Sequence, residues 1–414
     1  TEHSINGGGL KFDYFSPNEN HRFNVFASAQ HINRDSYYGP GDRDPLDAYG
    51  NTTDLNWMAG SQYVYSFGKC IFMPSDLTAG IEFNQDKLED NMWGYNRTVD
   101  QKVNIGSAFL QNEWKNDHWG FLIGGRLDKH NLIDHVIFSP RANLRYNPTE
   151  NINLRFSYSS GFRAPQAFDE DLHVENVGGN VAMVELADNL KEERSQSLSA
   201  SADIYHRFGA FQVNFLVEGF YTKLSDVFAL TDGEVVDGIL TRTRHNASGA
   251  QVLGLTLEGK MAYLNKIQVQ AGVTLQQSHY SKPHIWNKEA PAVKKMMRTP
   301  NTYGYFTATY TPIKPLSIAL SGTYTGSMLV PHEPVPGFLE NPITVNTKDF
   351  FDIGLKAAYD FKLYKSMNLQ VNAGVQNIFN AYQNDFDKGA DRDSGYIYGP
   401  SLPRSFFAGV KISY

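Results

Sequence analysis

The feature that most constrains this chain is a two-residue alternation of apolar and polar side chains that recurs along nearly its whole length. Between Ile267 and Leu275, the residues Ile, Val, Ala, Val and Leu alternate with Gln, Gln, Gly and Thr. The segments 152–159, 368–375 and 406–414 show the same pattern. Because successive side chains of a strand point to opposite faces, the pattern predicts about 17 strands, many near the roughly 9–11 residues that cross a bilayer at a tilt.

The connections between these predicted strands alternate between short turns and long loops. The short connections are 16–20, 115–118, 147–151, 206–209, 264–266 and 311–315. The long connections include 34–51, 163–193, 279–300, 326–348 and 381–404. A soluble sandwich would share the alternation within strands but has no reason to lengthen every second loop. The sequence therefore predicts an all-β fold, a transmembrane antiparallel β-barrel with periplasmic turns and extracellular loops.

The two ends of the chain predict an odd number of strands. The first strand, about Ile5–Phe15, leads into a short turn, and the last strand follows a long loop. Both strands therefore run toward the periplasm, which leaves Tyr414 at that face. Single-chain bacterial barrels close with even numbers of strands. We therefore expect residues 1–414 to be one outer-membrane barrel domain that is incomplete at its N-terminus.

Composition and motifs exclude several other classes. The mean hydropathy is −0.42, and no apolar run approaches the roughly 20 residues of a spanning helix. A net charge of −7 argues against a nucleic-acid partner. The single cysteine, Cys70, cannot form an internal disulfide and shows no metal-binding spacing. Because no G-x-S-x-G, H-E-x-x-H or paired-cysteine motif occurs, we predict no catalytic residues, no cofactor and no enzymatic activity.

An ordered series of motifs resembles the TonB-dependent receptors of the outer membrane. The series is GGRLDKH (124–130), FSPRANLRYNPT (138–149), FSYSSGFRAPQAFDEDLH (156–173), LKEERSQSLSASADIY (190–205), VQNIFNAY (375–382) and the terminal RSFFAGVKISY. Glu192 departs from the family pattern, which usually has proline there. The resemblance covers about residues 120–414, whereas residues 1–119 fit by strand pattern only.

This resemblance implies a barrel of 22 strands around an N-terminal plug, a size class known for outer-membrane transporters. The plug and the segment that contacts TonB are not in this sequence, so we expect roughly five strands and the plug to precede Thr1. The implied function is TonB-dependent active transport of a scarce nutrient, with an iron complex (siderophore or haem) favoured. Uptake of cobalamin or another vitamin, or a passive porin-like barrel, is the alternative.

The resemblance also implies a set of partners. These are TonB, the barrel assembly machinery at the C-terminal strand, a small-molecule nutrient, the lipid bilayer and a surface lipoprotein. The implied location is the bacterial outer membrane, and no nucleic acid is expected among the partners.

Aromatic residues in or beside the long loops are candidate ligand contacts. They are Tyr37, Tyr38, Trp93, Tyr95, Tyr396 and Tyr398. Such residues suit a flat ligand such as haem, a corrinoid or a catecholate. They equally suit the aromatic belt at the outer membrane interface or simple packing within the loops.

Histidine and lysine residues supply a second set of candidates. The resemblance implies that His173, in the loop after GFRAP, could ligate haem iron, although a solvated loop histidine is the simpler interpretation. The loop from His279 to Arg298 carries His279, His284, Trp286, Lys294 and Lys295. It could attract an anionic ferric siderophore, or it could be an ordinary charged surface loop. The loop 163–193 is acidic by contrast, so the loops do not form one uniform anion trap.

A run of aspartates near the C-terminus is a weak candidate for a metal site. Asp385, Asp387, Asp391 and Asp393 follow the odd spacing of a calcium loop. The run lacks the terminal bidentate glutamate, and Lys388 and Arg392 dilute its charge. A salt-bridged, solvated loop is the alternative, and no other metal site is predicted.

Overall fold

The computed structural model describes residues 2–37, 48–95, 97–177, 180–236, 238–364, 366–389 and 391–414. Almost all regular structure in these ranges is β-strand. The strands are β1 (Glu2–Phe15), β2 (His21–Tyr37), β3 (Tyr49–Cys70), β4 (Met73–Met92), β5 (Arg97–Lys115), β6 (Trp119–His130), β7 (Ile137–Thr149), β8 (Ile152–Arg163), β9 (Glu175–Val177), β10 (Asn180–Leu186), β11 (Glu193–Phe208), β12 (Phe211–Ser225), β13 (Phe228–Val236), β14 (Ile239–Asn246), β15 (Ala250–Tyr263), β16 (Ile267–His284), β17 (Val293–Lys295), β18 (Thr302–Ile313), β19 (Leu316–Thr325), β20 (Leu329–His332), β21 (Ile343–Asn346), β22 (Phe350–Lys362), β23 (Asn368–Gln376) and β24 (Ser405–Ser413). The described residues also include a one-turn helix, α1 (Asp169–Leu172), and a 3-10 turn (Trp93–Tyr95). Within these ranges, no helix is both long and apolar enough to cross a bilayer.

Most of the long strands form one antiparallel meander that is the wall of the barrel. In spatial order the wall runs β1 to β8, then β11, β12, β15, β16, β18, β19 and β22 to β24, with β17 added beside β16. These 17 wall strands confirm the predicted number and the antiparallel barrel fold. The first and the last therefore run in the same direction. Among the described residues, β1 pairs only with β2 and β24 pairs only with β23, so the wall is open between them.

The two faces of the wall differ in polarity as the alternation predicts. On the outer face of β15 and β16, Leu253, Leu255 and Leu275 expose 57%, 39% and 47% of their surface. On the inner face, Lys260 pairs with Glu258, and Tyr305 donates to Glu258 while it accepts from Gln270. A continuous exposed apolar face of this kind is stable only against lipid. The wall is therefore a transmembrane structure with a polar interior.

Aromatic side chains gather where the wall strands meet the short turns. Trp119 stacks on Tyr146 with ring centroids 4.2 Å apart, and the Phe211 ring lies 4.5 Å from the Tyr263 ring with the two planes tilted by 35°. Amphipathic rings favour the level of lipid headgroups, and barrels carry such girdles at both interfaces. This band marks one membrane interface, at the short-turn end.

Several wall strands place a glycine directly opposite an aromatic ring of the neighbouring strand. Gly254 of β15 is in register with Phe220 of β12, and Gly322 of β19 with Phe306 of β18. The same pairing joins Gly60 to Phe26, Gly80 to Phe109, Gly272 to Tyr305 and Gly374 to Phe407. A Cβ at Gly254 would overlap the Phe220 ring and would lie 3.0 Å from Gln276 Cβ. Rings that cover glycine in this way protect the backbone where a sheet curves.

Some strands extend well beyond the predicted length, which corrects the expected loop boundaries. β3, β4 and β5 have 22, 20 and 19 residues. The connections 93–96 and 131–136 are consequently compact, whereas 226–249 is a further long loop. The extended ends share a buried network in which Arg34 donates to Thr52, and Thr52 to Asp90 at 2.6 Å. Hydrogen bonding among these polar side chains allows the strands to continue past the lipid.

Candidate functional site

The long loops fold into a structured cap at one end of the barrel. β9, β10, β13 and β14 form a four-stranded sheet, in which β10 runs parallel to β14. β20 and β21 form a separate hairpin. The cap thus draws its elements from loops that are far apart in the chain, because a sheet edge left open by one loop is completed by the next.

The loop 164–192 is also attached to the inner side of the wall. The Gln101 side chain of β5 accepts from Ala167 N at 2.7 Å and donates to Ala167 O at 3.1 Å. Arg97 donates to the carbonyl of Asp171 at 2.6 Å, and the Asp171 carboxylate pairs with Arg244 of β14. The loop therefore lies across the mouth of the barrel and does not project freely from it.

A partly buried guanidinium at the centre of the cap binds three carboxylates from three loops. Arg242 of β14 pairs with Glu175 at 2.8 Å, with Asp232 at 2.9 Å and with Glu333 at 2.9 Å. Asn287 donates to the second oxygen of Glu333 at 2.9 Å. We call these five residues the Arg242 cluster. Its members come from the loops 164–192, 226–249, 285–301 and 326–349, so it connects four segments through one side chain.

Electrostatics within the Arg242 cluster favour a proton on Glu333. Burial raises the pKa of Glu333 to about 7; Asp232 and Asp393 add to the rise, and Arg242 and Asn287 oppose it. For Arg242, burial works against the charged form, but the three carboxylates outweigh it and raise the pKa of the guanidinium. The cluster therefore holds one permanent cation among acids that compete for it.

The C-terminal loop joins this cluster through backbone and ring contacts. Glu333 N donates to Asp393 at 2.9 Å, and His332 contacts Asp387 at 2.9 Å. The His332 ring stacks on Tyr396, with centroids 3.8 Å apart and planes 6° from parallel. Arg298 donates to the carbonyls of Gly395 and Ile397. A fifth loop, 377–404, is thus fixed to the same centre.

A cavity of about 310 Å³ lies beside the Arg242 cluster. We call it the cap cavity. Four acidic residues, two arginines and several aromatic residues line it: Glu175, Asp232, Glu333, Asp393, Arg242, Arg298, Phe228, Tyr280, His284 and Trp286, with smaller residues between them. A concave, partly apolar site with a few convergent polar groups is typical of small-molecule binding sites. The cap cavity is therefore the candidate ligand site.

The predicted aromatic contacts are distributed over three places. Tyr396 is buried beside Met328 and Val330, and Tyr398 packs against that cluster while donating to Asp385. Tyr95 is buried against Met92, Val181 and Met183. Tyr37 and Trp93 are exposed; Tyr37 meets Tyr49 edge to face at 5.0 Å. Tyr38 lies outside the described residues. None of the five described rings lines the cap cavity, so the role of all six as ligand contacts stays a prediction.

The predicted histidine and lysine candidates are divided between the cap cavity and the surface. His284 and Trp286 line the cavity, and Trp286 is 7% exposed. His279 is opposite Lys295 in the β16–β17 ladder. Lys294 and His173 are exposed and do not line the cap cavity. His284, Trp286 and Arg298 of this loop thus line the cap cavity, whereas Lys294 does not.

The aspartate run makes separate contacts within the cap. Asp385 accepts from Tyr398, Asp387 from Asp393 N, and Asp393 from Glu333 N and Gly395 N. Burial and the Asp385 carboxylate raise the pKa of the Tyr398 hydroxyl, which therefore remains a donor. Asp391 is exposed. Among the residues that the structure describes, no three His, Cys, Asp or Glu side chains converge as a metal site.

Sequence reasoning missed the residues at the centre of the cap. Arg242 lies in a short alternating stretch, TRTRH, that could have indicated a strand within the loop. Glu333 and Asp232 carry no local signal, because only the fold brings them within reach of Arg242. Arg298 is the last residue of the basic loop in the sequence, but its hydrogen bonds to the carbonyls of residues 395 and 397 depend on contacts across the cap.

Comparison with known proteins agrees with this architecture. The family model described as "TonB dependent receptor-like, beta-barrel" matches residues 2–378. No curated protein matches the chain in sequence. Among solved structures, the siderophore receptor PirA of Acinetobacter baumannii is 15% identical, with a TM-score of 0.70 over 99% of this chain and 62% of that one.

Two further solved structures show the same likeness. A mutant of the ferric enterobactin receptor PfeA of Pseudomonas aeruginosa, in complex with enterobactin, is 16% identical, with a TM-score of 0.72 over 99% of this chain and 62% of that one. The ferric-catecholate import receptor Fiu of E. coli K12 is 13% identical, with a TM-score of 0.70 over 99% of this chain and 64% of that one. The chain thus spans about three fifths of the length of these structures.

Proposed function

The chain belongs to the TonB-dependent receptor-like β-barrel family, and on that premise we propose that it takes part in active uptake of an iron complex across the bacterial outer membrane. The observation that carries the proposal is the cap, in which five long loops share one centre over the mouth of a transmembrane wall. A passive porin needs an open water-filled lumen. A cap with a lined cavity suits capture of a specific ligand.

The favoured cargo is a ferric siderophore, with haem as the alternative iron complex. Support comes from the neighbours, which are named for siderophores or ferric catecholates. Haem has less support, because His173 does not line the cap cavity. No catalytic role is proposed for any residue.

The proposal includes the rest of the transport machinery. We infer that further strands of the same protein join the open edges of β1 and β24 and that a plug fills the lumen. TonB then acts on the plug, the assembly machinery recognises the C-terminal strand, and the lipid bilayer covers the apolar outer face. A surface lipoprotein would contact the cap. Unpaired strand edges cannot remain exposed in hydrocarbon, which supports closure of the wall.

Uptake of radiolabelled iron by whole cells tests this proposal. A strain that lacks the gene should lose uptake of ferric enterobactin, another ferric siderophore or haem, and the wild-type gene should restore it. Uptake should also stop in a strain without TonB. If iron uptake is unchanged and small hydrophilic solutes instead enter more slowly, the protein is a porin and the proposal is wrong.

A further inference from the structure

The cap cavity has an excess of negative charge. Glu175, Asp232, Glu333 and Asp393 line it together with two cations, Arg242 and Arg298. Both guanidinium groups are already engaged, Arg242 by three carboxylates and Arg298 by two carbonyls. An anionic group that entered would meet more acid than base, whereas a cationic group would relieve the competition for Arg242.

The aromatic residues that line the cavity also suit a cationic group. Phe228, Tyr280 and Trp286 line it, and aromatic faces attract ammonium and guanidinium groups. Trp286 is 7% exposed, and its indole Nε1 is buried without a hydrogen-bond partner among the described residues. Because an indole N–H can only donate, this group requires an acceptor. The N–H is not accessible from the cavity in this structure, so the contact proposed below requires the Trp286 ring to shift toward a ligand oxygen close to the positive charge.

The volume limits how much of a ligand can enter. About 310 Å³ is at the lower end of the range for small-molecule sites, roughly 300–1,000 Å³. The cavity can hold a group about the size of one sugar ring, and a complete ferric siderophore would exceed it. It therefore suits a protruding part of a larger ligand.

From these observations we propose that the cap cavity binds a compact group that carries a protonated amine next to hydroxyl or carbonyl oxygens. The amine lies between Asp232 and Glu333 and takes over part of the role of Arg242, while an oxygen accepts from Trp286 Nε1. The inference deepens the proposed function, since it names a chemical group of the ligand. It rests on that function in one respect only, which is that the ligand reaches the cap from outside the cell.

Calorimetric titration of the full protein in detergent with three related sugars tests the inference. Glucosamine is cationic, glucose is neutral and glucuronate is anionic, and all three have the same ring size. Glucosamine should bind in the millimolar range and at least about tenfold more tightly than glucose, because one charge-assisted hydrogen bond is worth that factor. Glucuronate should not bind. Equal binding of the three sugars, or no binding of glucosamine, overturns the inference.

Variants of the cavity locate the binding. Glu333→Gln and Asp232→Asn each keep the side-chain shape and should weaken glucosamine binding about tenfold. Trp286→Phe keeps a ring, removes the donor and should weaken it by a smaller factor. Glu340→Gln removes the same charge from an exposed position of the same loop and should have no effect. Circular dichroism identifies any cavity variant that fails to fold. The binding data of the other two cavity variants then test the inference.

The two proposals can fail separately. If cells take up iron complexes through the protein but glucosamine binding is absent or unchanged in the variants, only the amine site is wrong. If glucosamine binds in the cap cavity but no iron complex is transported, the site stands and the iron cargo is wrong.

Discussion

At the scale of single residues, the cap depends on how one guanidinium is shared. Arg242 has planar, fixed donors, and each faces a different carboxylate. Buried ion pairs of this kind add little net stability, because desolvation offsets much of the attraction. Their better-attested effect is to specify one arrangement of the groups around them. In this chain that arrangement is the relative position of four loops.

Glu333 should titrate near neutral pH. Its pKa is raised from an ordinary 4.5 to about 7, chiefly by burial. Between these values the folded cap holds a proton that the unfolded chain has released, so the stability contributed by Glu333 is complete below pH 4.5 and is lost as the pH rises through 7. The groups that face Glu333 are Arg242, Asp232, Asn287 and Asp393.

Infrared difference spectra between pH 5 and pH 8 measure this titration. The protonated carboxyl band assigned to Glu333 should disappear with a midpoint near 7 and should be absent from Glu333→Gln. Glu340→Gln, at an exposed position of the same loop, should retain the band. A Glu333 band that is already largely lost at pH 5 would contradict the burial argument, because a carboxyl with the ordinary pKa of 4.5 is mostly ionised there.

At the scale of elements, the wall strands combine glycine with aromatic residues. A large ring can lie flat along the sheet only where the opposite residue has no side chain, as at Gly254 and Phe220. Opposed residues on neighbouring strands are close enough for such a ring to cover the glycine. The pairs occur on both faces of the wall, so they serve curvature and packing in lipid and lumen alike.

Gly254→Ala should therefore destabilise the wall by about 1–3 kcal/mol, because the new methyl group overlaps the Phe220 ring. Gly259 in the same strand has nothing within 4 Å of an added Cβ. Gly259→Ala should change the stability by less than about 1 kcal/mol, in the stabilising direction. Denaturant unfolding in detergent measures both. Equal losses would show that strand flexibility, rather than the ring contact, determines the effect.

The elements that sequence predicted are those with short-range signals. Period-two alternation and turn residues lie within each strand pair, so the antiparallel barrel wall and most turns followed from them. The cap did not follow, because Glu175 and Arg242, or Asn287 and Glu333, are distant in sequence and meet only through the fold. Tyr396 illustrates the same limit: its sequence position suited a ligand contact, the aromatic belt or packing within the loop, and its stacking on His332 depends on contacts that only the fold makes.

At the scale of the whole molecule, the outer face of the wall contacts lipid and its inner face contacts the water of the lumen. Thr307 and Ala308 are adjacent in β18 but face opposite sides of the wall. Thr307 faces the lumen, where it lines a polar recess with Gln268 and Lys260. Ala308 faces the lipid, opposite Val269 and Leu320 of the neighbouring strands. Neighbouring positions thus experience water on one side and hydrocarbon on the other.

Arginine at these two positions should have unequal costs. Ala308→Arg should lower the free energy of unfolding in lipid vesicles by about 2–4 kcal/mol, the value for a cation near the midplane of a barrel. Thr307→Arg should lower it by less than about 1 kcal/mol, because the lumen hydrates the charge. Urea unfolding followed by tryptophan fluorescence measures the difference. A larger loss for Thr307→Arg would reverse the assignment of the two faces.

The shared centre of the cap also limits how the outer surface can diversify. Loops of a barrel are usually exchangeable one at a time, since each is attached only to its own two strands. Here a graft of the loop 326–349 alone would remove Glu333 and leave Arg242, Asn287 and Asp393 without a common partner. New binding specificities or altered epitopes in this protein should therefore arise by coordinated replacement of several loops, with the barrel wall as the unchanged scaffold.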